Sequence, residues 1–150
     1  AVATGAHTVF SDIDDTLTTG SRLTPPAYAA MDALQRAGLR VILITGRPAG
    51  WCDHIGRMWP VDGVIGENGA FYCWHDAAAH KLQCRHLLNA TERSAHAARL
   101  ARVRDTILRE VPGSAVASDQ FCRLYDLAID FCEDVPALPP DAIDRIVTIM

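Results

Sequence analysis

The chain has 150 residues, enough for one domain with a real core or for one domain and part of another. A formal net charge of −4 disfavours a nucleic acid as partner, and no apolar run approaches the length of a membrane span. Five cysteines, Cys52, Cys73, Cys84, Cys122 and Cys132, are odd in number and scattered, and the first ten residues lack the charged start and apolar core of a signal peptide. They are therefore expected to be reduced, in a cytoplasmic protein.

Thr8 to Ser11 read as a buried strand of a parallel sheet, which then breaks into Asp12-Ile13-Asp14-Asp15-Thr16-Leu17-Thr18. Ligands of open α/β sheets sit outside the carboxyl ends of the strands, so a strand that delivers acids to its own end marks a site. In extended backbone Asp12 and Asp14 point to the same side. Carboxylates held together repel and call for a proton, a metal or divided roles; the alternative is an acidic turn or cap, where Asp and Thr are common. Mg²⁺ suits such a site, because it takes oxygen ligands, usually one or two carboxylates with phosphate and water.

Thr24-Pro25-Pro26 starts a helix with Ala27, Ala30, Met31, Leu34 and Ala37 at helical spacing, and Gly38 ends it. Leu39 to Ile44 is a second parallel strand, so the first three elements form a βαβ unit. It ends in Thr45-Gly46-Arg47-Pro48, where a hydroxyl, a glycine and a guanidinium offer what a phosphoryl group requires. A short helix from Trp51 to Trp59 and a third strand at 61–66 lead to Glu67-Asn68-Gly69-Ala70, whose Asn-Gly also fits plain hairpin chemistry.

From Phe71 the pattern turns more antiparallel, which places a domain boundary near Tyr72. Leu82, Cys84 and His86 alternate with polar residues as a half-buried strand. Cys73, His75, His80, Cys84 and His86 lie close together, but their spacing fits no zinc finger. Asn89 and Glu92 cap a helix that runs to about Val111, with Leu100, Val103, Ile107 and Val111 on its apolar side; its five arginines read as a solvated face. Tyr125, Leu127, Ile129 and Phe131 alternate as an amphipathic strand, and Pro139-Pro140-Asp141 opens a last helix. Ser118, Asp119, Gln120 and Arg123 are the polar residues of this half that fit substrate selection.

The segment Asp12 to Thr18 resembles the first motif of the haloacid dehalogenase-like (HAD) phosphohydrolases. Thr45-Gly46-Arg47 is similar to their second motif in members with large caps, and Glu67-Asn68-Gly69-Ala70 to the segment that leads into the cap. The resemblance implies a Rossmann-like parallel-sheet core of α/β class over residues 1–71, with an inserted α+β cap over 72–150. It also implies a Mg²⁺-dependent phosphatase acting on a small phosphate monoester, in particular a sugar phosphate, through an aspartyl phosphate. Asp12 would be nucleophile and Asp14 general acid/base, and Mg²⁺ would be held by the Asp12 carboxylate and the Asp14 main-chain carbonyl. Thr45, Gly46, Arg47 and Asn68 would bind phosphate or substrate, with Glu67 a weaker candidate.

Two family elements have no match here, a core lysine and a late Gly-Asp acidic motif. Lys81 is the only lysine and falls in the expected cap. The sequence begins at Ala1 and stops within a helix pattern, so it is expected to be part of a longer protein whose 150 residues alone bind Mg²⁺ weakly and turn over poorly. A sugar phosphomutase, a receiver domain and a non-catalytic phosphate- or Mg²⁺-binding module are the competing readings; Gly66-Glu67-Asn68, where a receiver needs its phospho-accepting aspartate, disfavours the second.

Overall fold

A computed structural model describes residues 5–150 of the chain, which divides into two compact units, the first ending at Leu87 and the second spanning Leu88–Met150. In the first unit, β1 (Thr8–Asp12) is followed by a hairpin of β2 (Thr18–Thr19) and β3 (Arg22–Leu23). Then come α1 (Pro25–Arg36), β4 (Arg40–Ile44), α2 (Ala49–Met58) and β5 (Gly63–Gly66), and after a short 3₁₀ turn at Glu67–Gly69 β6 (Phe71–Asp76) and β7 (Lys81–His86).

The sheet order is β1-β4-β5-β6-β7. The first three strands run parallel, and β6 and β7 turn back antiparallel. Short apolar runs bounded by breakers produced those strands, as expected. On the helix-covered face Val41, Leu43, Val64, Phe71 and Cys73 are buried with Met31 of α1 and Cys52 and Ile55 of α2. Gly66 has to be glycine, because a Cβ there would stand 2.3 Å from Phe71 and 2.6 Å from the Cys52 sulfur.

The β6–β7 hairpin bears on three expectations. The sequence reading ends the core at residue 71, whereas the compact unit runs to Leu87, because β6 hydrogen-bonds onto β5 and carries β7 with it. Lys81 accordingly belongs to the core sheet, at the start of β7 and opposite Asp76. The cysteines are not all free either: Cys73 and Cys84 face each other in register with Cα atoms 4.2 Å apart and are joined as a disulfide, while Cys52, Cys122 and Cys132 are free. Scattered spacing conceals a pair that only the hairpin register brings together.

The second unit contains α3 (Ala90–Glu110), β8 (Ala115–Val116), β9 (Ile129–Asp130) and α4 (Pro140–Ile149). Asn89 and Glu92 form the expected capping box: the Glu92 N–H donates to Asn89 Oδ1 at 3.0 Å and the Asn89 N–H to Glu92 Oε2 at 2.8 Å. Ile107, Val111 and Ile146 make the core, with Val103, Ile129, Leu138, Ala142 and Ile149 against it. The expected strand over 124–131 shrinks to Ile129–Asp130, paired with β8. Side chains claim the rest of that backbone, since Gln120 donates to the Asp126 carbonyl and accepts the Ala128 N–H, both at 2.9 Å.

Candidate active site

Asp12 is the last residue of β1 and is paired in register with Ile44, the last residue of β4. Parallel pairing therefore sets the loop that begins at Thr45 beside the acidic loop, at the carboxyl end of the sheet. Beyond Asp12 the chain stops being extended. The Ile13 carbonyl accepts N–H groups from Leu17 at 2.9 Å and Thr18 at 3.0 Å, and Asp15 takes a left-handed φ of 57°. Asp14 thus lies on a tight turn rather than on the strand, and the two acids find different partners.

Asp12 is exposed, and its carboxylate accepts the Thr16 hydroxyl at 3.3 Å. Asp14 is gripped by Arg47, whose Nε lies 3.0 Å from Oδ2 and whose terminal nitrogen lies 2.6 Å from Oδ1. This fork is the geometry in which Arg and carboxylate bind most strongly. The guanidinium also rests over Trp51, 4.5 Å from the ring centre.

Thr45 is almost wholly buried, and its hydroxyl oxygen accepts the Arg47 N–H at 3.0 Å, which leaves the hydroxyl proton for an acceptor. The Asn68 N–H donates to the Thr45 carbonyl at 3.2 Å, and a Cβ on Gly46 would come within 3.1 Å of Asn68 Oδ1. Glycine at 46 is what lets the two loops touch. The structure therefore gathers Asp14, Thr45, Gly46, Arg47 and Asn68 into one constellation, with Asp12 on the neighbouring strand end.

Glu67 has another place. It is buried with φ of 43°, and its Oε1 accepts the Ala49 N–H at 3.0 Å, so it satisfies the first turn of α2. Asp119, Gln120 and Arg123 lie in the second unit and are bound to their own loop: Arg123 contacts both Asp126 oxygens at 3.1 Å and Asp119 at 3.3 Å. Ser118 is exposed there.

The sequence reading passed over a cavity of about 210 Å³ beside Asp14 and Arg47, walled by Trp51, His54 and Trp59 of the α2 region and Leu23 of β3. The signal was present, since residues 51, 54, 55 and 59 recur at helical spacing.

Asp12 is exposed, and carboxylate and main-chain carbonyl oxygens are the donor types that Mg²⁺ takes. Among the described residues no group of three or more His, Cys, Asp or Glu side chains converges on a metal position. No helix is long and apolar enough to cross a membrane among those residues.

The sequence profile of the haloacid dehalogenase-like hydrolases matches residues 9–104. No curated protein matches the chain in sequence. Among solved structures, a Thermoplasma acidophilum protein is similar over 94% of this chain and 55% of its own, at 15% identity and a TM-score of 0.68. A HAD subclass IIB sugar phosphatase is similar over 83% and 44%, at 17% identity and 0.51. A haloacid dehalogenase-like hydrolase from Bacteroides thetaiotaomicron is similar over 67% and 38%, at 16% identity and 0.50. The chain spans about half the length of these structures or less.

Proposed function

The chain belongs to the haloacid dehalogenase-like hydrolases, and on that premise we propose that the whole protein is a phosphatase that hydrolyses a small phosphate monoester, a sugar phosphate in particular. One observation carries the reading: the Asp14–Arg47 fork, which ties the acidic loop after β1 to the Thr45-Gly46-Arg47 loop after β4. A nucleophile, an acid, a hydroxyl and a guanidinium then share one sheet end, the set that phosphoryl transfer needs for positioning and charge.

In this mechanism a carboxylate oxygen of Asp12 attacks phosphorus, and the bond from phosphorus to the leaving oxygen breaks as the aspartyl phosphate forms. Asp14 gives its proton to the departing alkoxide and then takes one from the water that cleaves the acyl phosphate, which returns Asp12 and releases phosphate. Thr45 donates its hydroxyl to a phosphoryl oxygen. Arg47 exchanges Asp14 for substrate when substrate arrives, and Asn68 contacts substrate. Mg²⁺, held by the Asp12 carboxylate and the Asp14 main-chain carbonyl, would supply charge neutralisation at the phosphoryl oxygens when bound. We place the 88–150 unit as the cap and the protein in the cytoplasm; Cys52, Cys122 and Cys132, all free, support that compartment and the Cys73–Cys84 bond speaks against it.

The test is phosphate release from a panel of sugar phosphates by the full-length protein, with Mg²⁺ and with excess chelator. Asp12→Asn is expected to lower release by at least about 10³-fold and to leave no acid-stable phosphoenzyme label. Release that survives this substitution sinks the reading.

A further inference from the structure

We propose that the cavity between the β2–β3 hairpin and α2 receives the alcohol half of the ester and selects an uncharged leaving group built on a single ring. This rests on the phosphatase reading above and assigns the specificity of that site.

Position comes first. An acid that protonates the leaving oxygen must stand within hydrogen-bond reach of it. Asp14 lines this cavity, so the leaving group on its far side enters a space already formed. Charge comes second. Asp14 and Arg47 are the charged groups of the lining, and they fork onto each other. Once substrate draws Arg47 to the transferring phosphoryl group, a leaving group with further phosphates would find no second arginine or lysine in this lining, whereas a neutral one needs none.

The walls set the chemistry. Trp51 and Trp59 offer indole surface against which a ring's carbon–hydrogen face can lie, while Thr18, Ser21 and His54 offer hydrogen-bonding groups for ring hydroxyls. The Tyr28 hydroxyl donates to the Met58 carbonyl at 3.1 Å and so anchors the end of α2 where Trp59 sits. The volume of about 210 Å³ falls below the roughly 300–1,000 Å³ of sites for drug-sized ligands, which limits the occupant to about one ring. Every lining residue lies between Ile13 and Trp59.

The experiment uses the full-length protein with every tryptophan other than Trp51 and Trp59, Trp74 included, replaced by Phe, so that these two indoles report. Hydrolysis of glucose 6-phosphate is compared with that of glycerol 1-phosphate, which has no ring. Trp59→Ala is expected to lower the ring-to-open-chain ratio of kcat/KM by about tenfold, mainly through KM, and His54→Ala, at an exposed position that does not threaten folding, by about threefold. Equal losses on both esters, or an unchanged ratio in both variants, overturn the proposal. Fluorescence in an Asp12→Asn background separates the two readings: glucose 6-phosphate should shift the indole emission and glycerol 1-phosphate should not. A shift without hydrolysis by the parent protein removes the phosphatase reading and keeps the pocket. Hydrolysis without a shift, or neither, removes the pocket.

Discussion

At Cys52, burial and a neighbouring carboxylate act in the same direction. The thiol is fully enclosed beneath β5, and burial first, then the Glu67 charge, push its pKa up to about 12 from an ordinary 9.0. A pKa raised on folding contributes stability that is whole below the unfolded value and is lost as pH climbs through the folded one. The first unit is therefore expected to weaken between pH 9 and about 12. Cys52→Ala should unfold more readily at pH 7, because it leaves a small cavity, but its stability should decline less over that window than that of the parent. Parallel pH profiles of denaturant midpoints check this, and identical slopes overturn it. The same burial should keep Cys52 silent to thiol reagents in the folded protein while exposed Cys132 reacts.

At the scale of elements, the turn after β9 depends on one side chain. Asp130 accepts N–H groups from Glu133 and Asp134 at 2.8 Å and from Cys132 at 3.0 Å, and these bonds, the one from Glu133 foremost, hold its pKa below the ordinary carboxylate value. A depressed pKa stabilises above the unfolded value and ceases to as pH falls through the folded one. Asp130→Asn, with one carbonyl oxygen in place of two carboxylate oxygens, should destabilise the 88–150 unit at pH 7 and flatten its acid limb below about pH 4. Hydrogen exchange of α3 and α4 amides against pH reads this out, and a variant whose acid limb equals the parent's contradicts it. Glu110 reinforces the acid limb from elsewhere, its pKa lowered first by its bond to Arg145 and then by that to Arg109.

These cases show what a sequence carries. The helices and longer strands of residues 8–66 were legible because each hides an apolar period between strong breakers, whereas the two-residue strands β2 and β3 are too short to show one; Asn89-x-x-Glu92 announces a cap chemically. The strand end at Asp12 and the loops holding Thr45 and Asn68 were legible because parallel strands put their carboxyl ends together. What escaped depends on partners distant in sequence. Alternation over 124–131 imitates a strand, but Gln120 occupies its backbone groups. Asp14 leaves the strand because the Ile13 carbonyl gathers a turn, and Cys73 meets Cys84 only through hairpin register.

At the scale of the whole molecule, the first unit buries one face of its sheet and leaves the other apolar. Phe10 is 60% exposed, Tyr72 49% and Ile44 40%, and Phe10 and Tyr72 line a shallow hollow of about 320 Å³ with Ile42, Ile65 and Trp74. Tyr72 and Trp74 stack across it with ring centres 5.7 Å apart. Parallel strands are ordinarily covered on both faces, and a contiguous apolar patch of this kind favours association. The 150-residue chain is therefore expected to bind an environment-sensitive hydrophobic dye while folded and to self-associate as its concentration rises. Replacing Phe10 and Tyr72 by Ser removes two large side chains that contribute little to the covered core. The double variant should lose most of the dye signal and sediment as a smaller species, with its far-ultraviolet circular dichroism unchanged. Dye binding that persists undiminished in that variant would place the exposed apolar surface elsewhere and leave this face without a role in association.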